Sequence, residues 1–183
     1  MAESQPSLLR ATFVRQRGKR DSVYVTRSDL TTTSWLFPSY GEGLPHDLVH
    51  LVVEACFGLR QAFWGRVDDG ADPARINQHA NRTGGPDKYR AFGPDQRAIM
   101  VAEALAAMHW FDVDRDDAAL CESLAESCAQ FGVETPPNAC PDRIAIVRQK
   151  LGELRRRWRA LGDAGALALT FRPDDPEAGV AEL

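Results

Sequence analysis

The sequence has 183 residues, of which 44% are hydrophobic and 26% are charged, and its formal net charge is −4. This composition is typical of a globular protein with one packed core, and the charge gives no support to a nucleic-acid or anionic-membrane partner. No apolar run approaches the ~20 residues of a membrane span, and the N-terminal residues lack a signal pattern. We therefore expect a cytoplasmic protein with a single globular domain over residues 1–172 and a disordered acidic tail over residues 173–183.

Strands are predicted first in the chain. Residues 8–16, 22–26 and 31–37 are rich in β-branched and aromatic side chains, and the polar segment 17–21 separates the first two as a turn. Residues 166–171 have the same character near the other end of the chain. The three N-terminal runs predict a small antiparallel meander, and the fourth run predicts a strand that returns to it.

The N-terminal strands carry a local excess of basic side chains. They are Arg10, Arg15, Arg17, Lys19, Arg20 and Arg27. We interpret them as solvated side chains that protect a sheet edge from pairing with another chain. A second basic run, at residues 155–159, ends a predicted helix, where positive charge favours the helix dipole and is normally solvated. Either surface would meet an acidic partner if the protein were an interaction module.

Helical periodicity begins at Pro45, and Gly58 ends this first helix. Four more helices are predicted, at residues 59–67, 95–110, 116–131 and 144–161. Residues 71–92 are rich in glycine, asparagine and proline and are predicted to be either a functional flap or a disordered loop. Strands followed by helices predict an α+β fold, in which four to five α-helices pack on one side of the small antiparallel β-meander.

The first helix carries the most unusual polar face in the chain. At about 100° per residue, two histidines and two carboxylates share one stripe. Relative to His46 at 0°, His50 lies at about 40°, Glu54 at about 80° and Asp47 at about 100°. Residues 44–54 include no lysine, arginine or glutamine, although an ordinary solvent-exposed face would be rich in them. The composition of the stripe therefore indicates a site.

Two histidines four residues apart on one helical face can bind a single metal ion. This H-x-x-x-H spacing is similar to the H-E-x-x-H motif of the zincin proteases, except that Asp47 stands where they have glutamate. The aspartate side chain is shorter, so its carboxylate would lie farther from a metal-bound water, which disfavours proteolysis but not metal binding. We expect one divalent metal ion, zinc before others, bound by His46 and His50.

Glu54 extends the stripe by one further turn, but one ion does not easily reach all three residues. His46 and Glu54 lie about 12 Å apart along the helix axis, at about 1.5 Å per residue. His46 with His50, or His50 with Glu54, therefore needs a ligand from elsewhere in the chain. The candidates are His79, Glu103, His109 and Asp112. Glu103 interrupts a nearly apolar run, so it is also a candidate for a buried carboxylate paired with His50 or Arg60.

Two functional hypotheses follow from the stripe. In the first, the protein is a metal-dependent hydrolase in which Asp47 or Glu54 is the catalytic acid or base, or orients a metal-bound imidazole as a hydrogen-bond acceptor. In the second, it is a non-catalytic protein that binds a small molecule or another protein, and the stripe is a structural or ligand-binding polar face. The four cysteines lack a C-x-x-C pair and are expected to be reduced thiols.

The stripe and the segment after it also resemble a known pattern. The run His46-Asp47-Leu48-Val49-His50, then Val53-Glu54 and Ala62-Phe63-Trp64-Gly65, resembles a family of bacterial proteins without an assigned activity. Its members carry an H-D-L-x-H-x-x-V-E helix followed by a G-F-W/F-G segment. The resemblance covers about residues 22–70, and Ala62 stands here where the family has glycine. It implies that the stripe and the segment Phe63-Trp64-Gly65 form one module.

Overall fold

The computed structural model describes residues 8–16, 20–38, 41–74, 76, 93 and 95–182. Its strands are β1 (Arg10–Val14), β2 (Asp21–Thr26), β3 (Thr32–Phe37), β4 (Ala166–Phe171) and β5 (Val180–Glu182). They form one antiparallel sheet in the order β3-β2-β1-β4-β5. The predicted meander and its returning strand are confirmed.

The described residues include five α-helices. They are α1 (His46–Phe57), α2 (Phe63–Asp68), α3 (Gln96–Ala106), α4 (Asp117–Gln130) and α5 (Pro141–Ala160). The α+β class is therefore confirmed. Three helix boundaries differ clearly from the prediction: α2 begins at Phe63 rather than residue 59, because a turn precedes it, α3 ends at Ala106 rather than residue 110, and α5 begins at Pro141 rather than residue 144. Proline suits this first helical position because its missing N–H would have no helical partner there.

The helices cover one face of the sheet. Phe13, Val23 and Leu169 are completely buried, whereas Tyr24, the neighbour of Val23, is 53% exposed. Burial that alternates along the strands is typical of an antiparallel sheet with one face on the core and one face in solvent.

Helix α1 runs through the centre of the core. Its residues 50–57 are all buried, and the helix contacts α2, α3, α5, β4 and β5. Gly58 ends it in the left-handed conformation, with a φ of 70° that suits glycine. The C-terminal part of the polar stripe is therefore inside the protein, since His50 is 5% exposed and Glu54 is 0% exposed. An amphipathic helix at the surface would expose the whole stripe to solvent.

Residues 173–182, which the sequence predicts to be a disordered acidic tail, include a strand and hydrogen bonds to α5. Strand β5 pairs with β4, with Val180 opposite Phe171. Arg143 donates to the carbonyl of Pro176 at 2.8 Å, and Lys150 donates to the carbonyl of Ala178 at 2.6 Å. Proline and acidic residues gave the segment the composition of a disordered tail, but cationic side chains of α5 provide partners for its backbone.

Two of the basic side chains are buried, which corrects the prediction that they are solvated. Arg15 and Arg27 are 7% and 8% exposed. Arg15 donates to the carbonyl of Trp158 at 2.8 Å, and Arg27 donates to that of Val67 at 2.5 Å. Each guanidinium therefore adds a charged donor to a carbonyl at the C-terminal end of a helix, α5 or α2, where that carbonyl also accepts a backbone N–H.

The other basic residues divide into three groups. Arg10 and Arg20 are exposed, as are Arg156, Arg157 and Arg159 of the second basic run. Arg155 of that run is half-buried, and Arg17 and Lys19 lie outside the described residues. Among the helices of the described residues, none has both the length and the apolar character needed to cross a bilayer.

Candidate metal centre

Three side chains from α1 and α3 bring metal-binding atoms together. His46, His50 and Glu103 each offer one ligand atom, and these atoms lie within 4.8 Å of one another. The imidazole rings of His46 and His50 are 4.7 Å apart between centroids, and His50 Nε2 lies 3.9 Å from Glu103 Oε1. His46 is exposed, His50 is buried and Glu103 is half-buried. This cluster could hold a metal ion.

Glu54 lies behind His50 and fixes its orientation. Glu54 Oε1 is 2.9 Å from His50 Nδ1, and Glu54 Oε2 accepts the backbone N–H of Trp64 at 2.8 Å. The hydrogen-bond network therefore assigns the proton of a neutral His50 to Nδ1, and Nε2 keeps the lone pair that faces Glu103. A carboxylate behind a histidine is the usual means by which proteins orient a metal ligand.

The turn after α1 explains why the backbone of Trp64 reaches Glu54. Beyond Gly58, the N–H of Leu59 returns to the carbonyl of Glu54 at 2.8 Å, and the chain enters α2 at Phe63. The first N–H groups of a helix have no partner within it, and the buried carboxylate accepts one of them. Gly65 lets this turn close, because a Cβ atom at this position would collide with the carbonyl of Arg60.

The environment changes the proton affinity of both members of the pair. Burial raises the pKa of Glu54 above its ordinary value, against the opposing hydrogen bonds from His50 and Trp64. Burial lowers the pKa of His50, but the hydrogen bond and charge of Glu54, with the charges of Glu103 and Asp47, raise it by more, so it lies above its ordinary value. The surroundings of His50 thus favour a positive charge at the ring, which a proton or a metal ion provides.

Asp47 lies on the same turn but has different partners. Its Oδ2 accepts the indole N–H of Trp35 at 2.9 Å, and its backbone carbonyl accepts the indole N–H of Trp64 at 2.9 Å. Asp47 is not one of the three residues whose ligand atoms converge. The position of this residue favours a role in holding the two tryptophans rather than in the metal cluster itself.

Aromatic rings continue from the metal cluster toward β3. The ring of Phe63 lies 6.3 Å from that of His50 and 6.0 Å from that of Trp35. Trp35 also contacts Trp64 at 5.8 Å. Phe63 is 8% exposed and Trp64 is completely buried, whereas Trp35 is half-buried. One side of the cluster is therefore an aromatic wall, which we define as Trp35 and Phe63.

The structure selects among the four predicted candidates for a third ligand. Glu103 joins the two histidines, and its position in an apolar run was the signal for it. His109 is exposed beyond the end of α3, and Asp112 pairs with Arg115 at 3.5 Å. His79 and most of the predicted flap lie outside the described residues. Trp35 was not foreseen, since no spacing in the sequence connects it to the stripe. The family resemblance grouped Trp64 with the stripe but did not indicate that its backbone N–H donates to Glu54.

Comparison with known proteins adds no further constraint: neither a protein-family model, nor a curated protein, nor a solved structure matches the chain.

Proposed function

We propose that this protein binds one divalent metal ion, zinc before others, through His46, His50 and Glu103. One observation carries the proposal: the buried hydrogen bond between His50 Nδ1 and Glu54, which directs Nε2 toward Glu103. Two imidazoles and one carboxylate are a ligand set of catalytic zinc. Ligand atoms around a tetrahedral zinc are about 3.4 Å apart, so small side-chain rotations within this cluster would complete the geometry.

We further propose that the metal site is hydrolytic. Three protein ligands leave the fourth tetrahedral position for water, as in catalytic rather than structural zinc sites. Zinc lowers the pKa of a bound water to about 7, which supplies a nucleophile at neutral pH. In this proposal Glu54 orients His50, and Asp47 orients the indole of Trp35. Both are then positioning residues rather than the catalytic acid or base. For Glu54 this is the other role that the sequence allows, that of an acceptor that orients a metal-bound imidazole.

One observation supports a second candidate function, that of a non-catalytic binding or interaction protein. The Glu54 carboxylate joins His50 to the backbone of Trp64 and so connects α1 with α2 without a metal ion. In that function the stripe is a structural polar link, and the protein binds a small molecule or another protein.

Metal analysis separates the two functions. The full chain is purified without an affinity tag or chelator, dialysed against zinc and then against buffer, and its metal content is measured. We expect one zinc per chain. His46→Ala and Glu103→Gln are the informative variants because neither residue is fully buried, and each should lose zinc while its thermal unfolding stays cooperative.

The matched control is His109→Ala, which removes an exposed histidine outside the cluster and should keep the metal. Zinc below one tenth of the chain concentration in the wild-type protein, with none regained on dialysis, would overturn the metal proposal. It would leave the structural link as the function of the stripe.

A further inference from the structure

The aromatic wall has a feature that packing alone does not require. The Trp35 indole is held at its N–H end by Asp47, at 2.9 Å, and its ring packs edge-on against Phe63. Trp35 is only half-buried, so part of this residue stays in contact with solvent. A charged acceptor and an aromatic neighbour together fix the orientation of a partly exposed indole.

The wall and the metal cluster are continuous. Phe63 stands between them, since its ring contacts both His50 and Trp35. Asp47, which holds Trp35, is the immediate neighbour of His46 in α1. A fixed apolar surface beside a few polar groups that converge is typical of a site for a small molecule.

We propose, on the basis of the metal function above, that the aromatic wall binds the apolar part of the ligand whose oxygen group binds the metal. The ligand class is a molecule with a metal-binding oxygen group attached to an aromatic ring. Trp35 provides the contact surface, because it is half-buried whereas Phe63 is only 8% exposed. Asp47 is a positioning residue, since it touches Trp35 rather than the ligand.

Two hydroxamic acids test the wall on the zinc-loaded full chain. Benzohydroxamic acid and acetohydroxamic acid share one metal-binding group and differ in the presence of a ring. Calorimetric titration should show the aromatic compound binding about tenfold more tightly to the wild-type protein, because its ring leaves water. The two compounds also differ in their own affinity for zinc. This difference is the same for every variant, so it cancels when the ratio of the two dissociation constants is compared between variants.

Variants of the wall should change that ratio in a defined pattern. Trp35→Leu should reduce the preference to less than about threefold, because the aliphatic side chain offers a smaller and less fixed surface. Asp47→Ala should also reduce it while leaving Trp35 present. Asp47→Asn keeps an oxygen acceptor for the indole N–H and should preserve the preference. Leu36→Ala is the matched control, since Leu36 is 56% exposed and is the neighbour of Trp35 in β3.

Two results would contradict the proposal in distinguishable ways. If wild-type protein binds one zinc but shows the same ratio as Trp35→Leu, the aromatic wall is not a binding surface, and the metal function stands. If wild-type protein binds no zinc, the metal function is overturned and the wall proposal fails with it.

Discussion

Two regions of the molecule bury charge in different ways. At the sheet, the guanidinium groups of Arg15 and Arg27 donate to backbone carbonyls at the ends of α5 and α2. In α1, both oxygens of Glu54 are bonded, but His50 uses Nδ1 for its bond and directs Nε2 toward Glu103, at 3.9 Å. Burial of a charged side chain is common to the two regions, so burial alone does not mark a functional group.

The difference lies in where the bonding atoms point. The two arginines donate to backbone carbonyls of the folded chain itself. These hydrogen bonds therefore contribute to stability and need no ligand. His50 Nε2 instead faces Glu103, and the ligand atoms of these two residues and of His46 lie within 4.8 Å of one another, an arrangement that suits a metal cation. Removing charge from the first region should therefore change stability alone, whereas removing it from the second should change stability and metal binding together.

The largest expected effect is that of Glu54→Ala. The substitution leaves a buried imidazole and the N–H of Trp64 without their acceptor. We expect the free energy of unfolding of the zinc-free protein to fall by about 3–5 kcal/mol, the usual result of removing one member of a buried pair. Urea unfolding measures it, and Glu122→Ala, at an exposed position of α4, is the control.

Glu54→Gln sharpens the same comparison because its amide oxygen can still accept from Nδ1. The charge is removed, and an NH2 group replaces the oxygen that accepts the N–H of Trp64. Zinc affinity should fall by about 10–100-fold, as is typical when the carboxylate behind a metal-binding histidine is changed. Unchanged zinc affinity in a folded Glu54→Gln protein would mean that Glu54 does not act on the metal site through His50.

Arg15→Met should have the next largest effect. Methionine keeps much of the side-chain volume but removes the charged donor to the carbonyls of Trp158 and Arg159, although the carbonyl of Trp158 keeps the N–H of Leu161 at 3.3 Å. The free energy of unfolding should fall by about 1.5–3 kcal/mol, the usual contribution of hydrogen bonds that involve a charged group. Zinc affinity should stay within twofold of wild type. The control is Arg20→Met, an exposed member of the same basic group; a loss of zinc in Arg15→Met would contradict the separation of the two regions.

The elements of the fold were predictable because their signals are local. Strands β1 to β4 follow from β-branched and aromatic runs, and the ends of α1 follow from Pro45 and Gly58. Strand β5 was missed because its segment is short and acidic, and its pairing depends on the distant β4. Local composition describes an isolated segment, and this one is ordered by neighbours far away in the chain.

The candidate site was predictable in part. A helical wheel placed His46, His50 and Glu54 on one stripe, and Glu103 was among four candidate partners. A helical wheel gives the direction of each side chain but not how deeply the helix is buried. It therefore did not show that Glu54 lies in the core and accepts a backbone N–H of α2. For the same reason it did not show that Arg15 and Arg27 cap helices, since both contacts join residues far apart in sequence.

Cys56 provides a third and smaller comparison, because it is a buried ionisable group of α1 that stays neutral. Burial raises the pKa of its thiol to about 11, and the nearby charges of Lys150 and Arg143 oppose this effect without cancelling it. At pH 8 roughly one thiol in a thousand is then the reactive thiolate. Iodoacetamide at this pH should therefore modify the exposed Cys140 well before Cys56 in the folded protein.

The modification is measured by peptide mass spectrometry over time, and unfolding in urea is the control that should make the cysteines equally reactive. Fast labelling of Cys56 in the folded protein would show that the C-terminal half of α1 opens to solvent. That opening would also expose Glu54, two residues away. The pair of His50 and Glu54 would then not be a buried charged pair, and it could not be compared with the buried arginines. Slow labelling supports the enclosed core that the orientation of His50 requires.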